Sequence, residues 1–184
     1  MENANRRGVA RVIIWIGAIG AILAIPLIAM QFTDEVAWTT FDFIAAGAML
    51  GAAALTYELT TMNKVSLAYR AAVALAVGTA FMLVWVNGAV GVLGDEGNGA
   101  NLIFLGVFAV GFIGAVLAGL RPAPMAHAMA ATAVAQIVAA LIALTLSWGT
   151  PLEVALTAAF SGGWFASAFL FHRAARGQKP SSVA

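Results

Sequence analysis

Six long apolar segments constrain this chain more than any other feature of its sequence. An α-helix needs roughly 20 apolar residues to cross a hydrocarbon core about 30 Å thick. Segments of about that length cover residues 9–31, 41–61, 67–93, 101–120, 125–148 and 152–172. Inside lipid a helix pairs its own backbone polar groups, which is why apolar segments of this length cross as helices. The sequence therefore predicts an all-α, polytopic transmembrane bundle of six helices.

The composition leaves little material for a water-facing domain. Hydrophobic residues make up 62% of the chain and charged residues 9%, whereas soluble domains carry about 25% charged residues. We expect one membrane domain over residues 9–172, a short N-terminus at 1–8 and a polar tail at 173–184. The first apolar run exceeds the roughly 7–15 residues of a signal-peptide core, so it is predicted to be a retained helix.

The basic residues predict the orientation of the bundle. The nine lysines and arginines fall in the N-terminus, the second and fourth connections and the C-terminus: Arg6, Arg7, Arg11, Lys64, Arg70, Arg121, Arg173, Arg176 and Lys179. The first, third and fifth connections carry most of the acids and no basic residue. Because lysine and arginine accumulate on the cytoplasmic side of membrane proteins, both termini are predicted to be cytoplasmic.

Several function classes are disfavoured by the residues that the chain lacks. The net charge of +1 gives no footprint for nucleic-acid binding. The absence of cysteine excludes disulfides, thiolate catalysis and iron–sulfur clusters. Signatures of hydrolases, kinases, dinucleotide-binding proteins and metalloproteases are also absent. We therefore expect a protein that is not an enzyme.

Small residues spaced four apart predict where the helices pack. In lipid, close approach through small side chains drives helix association, and a spacing of four keeps them on one stripe. A transport seam that slides is the alternative interpretation. The predicted packing positions are Gly47, Gly51, Gly111, Ala115, Gly119 and Gly163.

Two charged residues lie at similar depth near the inner side. Glu58 is near the end of helix 2 and Arg70 near the start of helix 3. An ion pair between them would lower the cost of burying each charge. The pair is predicted to be a clasp that fixes the hairpin, and a proton or substrate gate is the alternative.

Two polar residues lie near the outer side. Asp42 begins helix 2, where the helix dipole favours an acid. Asn87 lies in the outer third of helix 3, and a buried amide in lipid needs a partner. Asp42 or a loop backbone is predicted to supply that partner, and a small polar site open to the periplasm is the alternative.

Gln136 is the longest polar side chain predicted at mid-membrane depth, and it shares a helix face with Thr132. Such groups usually form hydrogen bonds between helices. A narrow polar path lined by these residues is the alternative.

Two histidines, His127 and His172, are predicted near the inner ends of helices 5 and 6. Antiparallel neighbours could bring them together as ligands of haem iron or of a metal. Closed metal sites need more than two ligands. The histidines are therefore weak candidates, and no cofactor is expected.

Three segments carry a resemblance to known proteins. The sequences FTDEVAWTTFDF at 32–43, LAYRAA at 67–72 and WVNGAVG at 85–91 resemble a family of small multi-pass bacterial membrane proteins. The likeness covers about residues 32–101. The family carries no assigned activity, so the resemblance implies an inner membrane and assigns no catalytic residue.

Three functions remain open from the sequence. The first is a non-enzymatic accessory or scaffold component, which would contact the lipid bilayer and other membrane subunits or copies of itself. The second is a small oligomeric transporter or channel for an ion or small solute. The third is a haem or quinone-binding membrane protein.

Overall fold

The computed structural model describes residues 2–62, 66–89, 91–95 and 97–177, with side chains from Gly8 onward. These residues form helices and no strand: α1 (Glu2–Ala29), α2 (Thr40–Thr61), α3 (Leu67–Ala89), a 3-10 helix (Gly99–Leu102), α4 (Ile103–Ala118), α5 (Pro122–Thr145) and α6 (Pro151–Arg176). Six spans of 20 to 26 residues are long and apolar enough to cross a membrane. This confirms the predicted all-α class with six membrane-length helices.

Helix α3 ends at Ala89, whereas the sequence predicted an end at residue 93. The reason lies in the side chain of Asn101, whose Oδ1 accepts hydrogen bonds from the backbone N–H groups of Val92 and Leu93 at 3.3 and 2.9 Å. An amide acceptor of this kind competes with the helical hydrogen-bond pattern. The chain therefore leaves the helix before its apolar run is finished.

Helices α5 and α6 also differ from their predicted bounds. Helix α5 begins with Pro122 as its first residue, a position where the missing N–H is harmless. Helix α6 continues to Arg176, although residues 173–184 were predicted to be a polar tail. Arg173 and Arg176 occupy its last turn, where cations interact favourably with the helix dipole. The rest of that tail, from residue 178, lies outside the described residues, as do Lys64, between α2 and α3, and the acid Glu96.

The described residues fall into two compact units that divide within α2. Unit 1 extends to Thr56 and contains α1 and most of α2. Its helices meet where Leu23 lies 3.6 Å from the Cβ position of Gly47. None of the described side chains of α1 is buried. Unit 1 therefore presents α1 largely as an apolar surface.

Unit 2 begins at Tyr57 and holds α3 to α6. Helix α5 packs between α4 and α6, and α6 also packs against α3. One end of unit 2 is called the basic end, because it carries Arg70, Arg121 and Arg173 at the ends of α3, α5 and α6. The other is called the acidic end and carries Asp95 and Glu153. Two apolar clusters fill the interior, one around Tyr69 and Phe171 and the other around Leu83, Leu93 and Phe104.

Glycines permit the closest helix approaches in unit 2. A Cβ at Gly114 would lie 2.9 Å from the Cβ of Ala128, where α4 crosses α5. A Cβ at Gly163 would collide with the side chain of Thr79, where α6 crosses α3. A Cβ at Gly111 would lie 3.3 Å from the Thr132 hydroxyl, where α4 also meets α5. The helices can therefore approach closely at these crossings because glycine has no Cβ atom.

The remaining predicted packing positions have different surroundings. Ala115 packs against the Tyr69 cluster. A Cβ at Gly51 would meet nothing within 4 Å. Gly119 lies beyond the end of α4 in a left-handed conformation, with φ 54° and ψ 34°. Because a residue without Cβ adopts this conformation without strain, Gly119 is suited to end α4. Its predicted packing role stays a prediction.

Candidate functional site

Asp42 forms a capping arrangement with Thr39 at the start of α2. Its Oδ2 accepts hydrogen bonds from the backbone N and the hydroxyl of Thr39 at 2.6 and 2.8 Å. The backbone N of Asp42 donates in return to the Thr39 hydroxyl at 3.4 Å. This reciprocal pairing is a capping box, which satisfies donors that a helix start leaves unpaired. Capping the start of α2 is thus a sufficient reason for an acid at position 42.

Asn87 lies in the last turn of α3, near the acidic end. It is half-buried, and its Oδ1 has no hydrogen-bond partner among the described residues. A buried amide oxygen without a partner costs free energy. The polar site predicted from Asp42 and Asn87 stays a prediction.

Arg70 contacts an aromatic residue at the basic end. Its Nε donates to the Tyr57 hydroxyl at 3.3 Å, and its guanidinium carbon lies 6.0 Å from the centroid of the Tyr57 ring. This geometry combines a hydrogen bond with a cation–π contact. Glu58, the next residue after Tyr57, is half-buried in the last turn of α2. The predicted ion pair between Glu58 and Arg70 stays a prediction.

Gln136 is fully buried where α5 crosses α6. Its Nε2 donates to the backbone carbonyl of Thr157 at 3.0 Å. Its Oε1 and the Thr157 hydroxyl have no hydrogen-bond partner among the described residues. Gln136 therefore forms one hydrogen bond between helices, while its own Oε1 and the neighbouring Thr157 hydroxyl stay buried without a partner among the described residues.

Thr132 faces a different neighbour from Gln136, although the two share a predicted helix face. Its hydroxyl donates to the Ala128 carbonyl within α5 at 2.9 Å, and its side chain lies against Gly111 of α4. Thr132 thus contacts α4, whereas Gln136 contacts α6.

The two histidines do not form part of a metal cluster in the described part of the chain. His127 and His172 are both exposed. No group of three or more histidine, aspartate or glutamate residues that could hold a metal ion occurs among the described residues. The haem or quinone interpretation gains no support from this placement.

Asn101 is a structural residue that the sequence reasoning missed. Besides accepting from Val92 and Leu93, its Nδ2 donates to the carbonyls of Leu93 and Asp95 at 3.3 and 2.8 Å. This one amide therefore organises residues 91–95. Its position beside a loop rich in glycine and asparagine was the available signal, since asparagine side chains often replace backbone partners in turns.

Glu153 joins two connections at the acidic end. Its Oε2 accepts from the backbone N of Thr150 at 3.0 Å and from that of Gly94 at 3.1 Å. The Thr150 hydroxyl accepts from the backbone N of Glu153 at 3.3 Å, which completes a capping box. Threonine followed three residues later by glutamate is the sequence signature of this motif. The sequence could therefore indicate the cap, but not the bond to Gly94.

An apolar groove of about 780 Å³ lies between α3 and α6. Its lining is small side chains flanked by large apolar ones: Ala71, Ala74, Leu75, Gly78, Thr79, Met82, Leu156, Ala159, Phe160 and Gly163. Thr79 is the polar residue of this lining, and its hydroxyl donates to the Leu75 carbonyl at 2.8 Å. The groove therefore presents an apolar surface at membrane depth.

Helices of this length and composition define a multi-pass membrane protein. Most of the polar side chains that its interior holds bond to backbone groups at helix ends and helix crossings. Comparison with protein-family models, with characterised proteins and with solved structures finds no match to this chain.

Proposed function

We propose that the protein is a non-enzymatic accessory component of a bacterial inner membrane, and that it works by binding a transmembrane helix of another membrane protein. The groove between α3 and α6 supports this proposal. Lipid tails are as apolar as leucine, so helices associate in a membrane where small residues let backbones approach. Ala74, Gly78 and Ala159 are exposed in the groove and offer such a surface, which continues the existing contact between α3 and α6.

The proposed orientation places the basic end in the cytoplasm, together with both termini. Arg70, Arg121, Arg173 and Arg176 lie at that end of unit 2, whereas Asp95 and Glu153 lie at the other. Arginine and lysine are enriched on the cytoplasmic side of membrane proteins. The sequence resemblance of residues 32–101 to small bacterial inner-membrane proteins supports the proposed location in the inner membrane.

Filling the groove tests the proposal. Ala74→Phe places a large side chain in the groove, whereas Ala109→Phe places the same side chain on an exposed face of α4. Each variant is purified from native membranes in mild detergent, and the proteins that accompany it are quantified. We expect one membrane protein to accompany the wild type and Ala109→Phe and to be lost from Ala74→Phe. Equal recovery with Ala74→Phe would show that the groove is not the contact surface.

A small transporter is a second candidate function. Four buried polar atoms lack a hydrogen-bond partner among the described residues: Asn87 Oδ1, Gln136 Oε1, Thr157 Oγ1 and Trp164 Nε1. Buried polar groups in membrane proteins often mark a substrate or ion pathway. Ion flux through proteoliposomes that is abolished by Gln136→Leu would favour this function over the accessory role. If neither the wild type nor Gln136→Leu gives ion flux, the accessory role is favoured.

A further inference from the structure

The basic end of unit 2 is assembled around one buried tyrosine. Tyr69 is fully buried, and its hydroxyl donates to the Leu120 carbonyl at 2.9 Å. Its ring meets the ring of Phe171 edge-on, with centroids 5.2 Å apart. Tyr69 therefore joins the start of α3, the connection after α4 and the last third of α6.

Each of these three segments carries an arginine next to the tyrosine contact. Arg70 follows Tyr69, Arg121 follows Leu120, and Arg173 lies two residues after Phe171. Arg176 lies about one turn further along α6. Arg70 is half-buried, and the other three are exposed. The tyrosine contacts thus hold three arginine-bearing segments together at one end of unit 2. The name arginine cluster is used here for the arginines of these segments: Arg70, Arg121, Arg173 and Arg176.

Acids do not balance this cluster in the described part of unit 2. The described acids of this unit are Glu58, Asp95 and Glu153. Asp95 and Glu153 lie at the acidic end, which leaves Glu58 as the acid of the basic end. The titratable groups His127 and His172 also lie at the basic end and are exposed. The basic end therefore carries a surplus of positive charge.

The guanidinium groups keep donors for an external anion. The hydrogen bonds described for Arg70 and Arg121 use Nε, to the Tyr57 hydroxyl and to the Ala118 carbonyl. A guanidinium group has five N–H donors in a fixed fork that matches a phosphate. Because the cluster lies at the ends of membrane-length helices, it lies at the depth of lipid headgroups.

We propose that the arginine cluster binds the phosphate headgroup of an anionic phospholipid. Basic pockets between transmembrane helices recognise such headgroups, since both the charge and the depth match. Tyr69 is a positioning residue in this site, because it holds the Leu120 carbonyl and thereby the segment that carries Arg121. None of the four arginines lines the groove between α3 and α6.

Native mass spectrometry of the protein from phosphatidylcholine nanodiscs with increasing phosphatidylglycerol tests this site. The wild type is expected to retain phosphatidylglycerol. An arginine near an anionic membrane surface contributes roughly a fivefold gain in lipid affinity. Arg173→Gln should therefore weaken phosphatidylglycerol retention roughly fivefold. The double variant Arg121→Gln, Arg173→Gln should weaken it on the order of thirtyfold. Arg11→Gln is the matched control, since it removes the same charge from an exposed arginine of unit 1.

Two further variants separate a built site from general surface charge. Tyr69→Phe keeps every charge but removes the hydrogen bond to Leu120, so it should also weaken retention. The double variant Arg121→Lys, Arg173→Lys keeps both positive charges but lacks the forked guanidinium donors. Its phosphatidylglycerol retention should lie between that of the wild type and that of the glutamine variants. Circular dichroism checks that each variant is folded.

Three results would overturn the proposal. In the first, Arg11→Gln weakens retention as much as Arg173→Gln, so the protein senses only overall charge. In the second, folded Tyr69→Phe retains phosphatidylglycerol as the wild type does. In the third, the wild type retains phosphatidylglycerol no better than phosphatidylcholine but binds millimolar inorganic phosphate, so the ligand is a free phosphate ion.

Discussion

At the residue scale, Gln136 shows how a polar side chain can be accommodated inside this bundle. Its Nε2 bonds to a backbone carbonyl of α6, while its Oε1 stays without a partner among the described residues. Such a bond in a membrane is worth about 0.6 kcal/mol on average. The unpartnered oxygen offsets part of that gain, because a buried polar atom loses its hydration. Gln136 therefore contributes more to the specificity of the α5–α6 crossing than to its stability.

We predict different effects for two substitutions at Gln136. Gln136→Leu should lower the free energy of unfolding by no more than about 0.6 kcal/mol, since it removes one bond and one unpartnered atom together. Gln136→Glu should lower it by roughly 2.5–3.5 kcal/mol, the cost of a charge at membrane depth. Reversible unfolding in mixed micelles measures both values. A large loss for Gln136→Leu would mean that the amide makes further bonds.

At the element scale, the helices of unit 2 are held by their smallest residues. Helix α5 buries Ala133, Ala139, Ala140 and Ala143 towards its neighbours. Gly114 of α4 and Gly163 of α6 lie at crossings where a methyl group would meet Ala128 and Thr79. Because helices in lipid associate through close packing, the distance between these helices is set at such positions.

A matched set of glycine substitutions tests this packing. Gly114→Ala and Gly163→Ala should each lower stability by about 1–3 kcal/mol, the usual cost of overpacking a core. The controls Gly106→Ala and Gly162→Ala meet nothing within 4 Å. They should be neutral or stabilise the helix by up to about 1 kcal/mol, because alanine has the higher helix propensity. Equal effects in all four variants would contradict the assigned crossings.

Sequence reasoning could predict the elements but not all of their contacts. Length and hydropathy located six helices, since the bilayer imposes the length. The spacing of four pointed to Gly111 and Ala115 but missed Gly114, because a helix face repeats at three and four residues alike. The end of α3 was misplaced because the decisive bonds come from Asn101, a residue beyond the loop. Contacts between distant residues, such as Tyr69 with Leu120, leave no local pattern.

At the scale of the whole molecule, charge is segregated between the two ends of unit 2. The arginine cluster occupies one end and Asp95 and Glu153 the other. Moving several arginines across a bilayer is costly. The orientation we propose for unit 2 therefore keeps the basic end in the cytoplasm.

The absence of cysteine makes this orientation simple to measure. We predict that a membrane-impermeant thiol reagent labels Asp95→Cys in intact cells and does not label Gly177→Cys until the cells are opened. Both positions are exposed, so access depends on the side of the membrane. Labelling of Gly177→Cys alone in intact cells would reverse the proposed topology.

The bond from Gly94 to Glu153 joins residues 59 positions apart and has a consequence for biogenesis. During synthesis, the loop at 91–95 is translated long before Glu153, the residue whose side chain binds it. Ser167, which donates to the Ala72 carbonyl of α3, is translated later still. A nascent chain that stalls before α6 lacks both bonds, and the α3 face that α6 would cover stays open to lipid. Unit 2 therefore cannot complete its contacts until the last helix has been made.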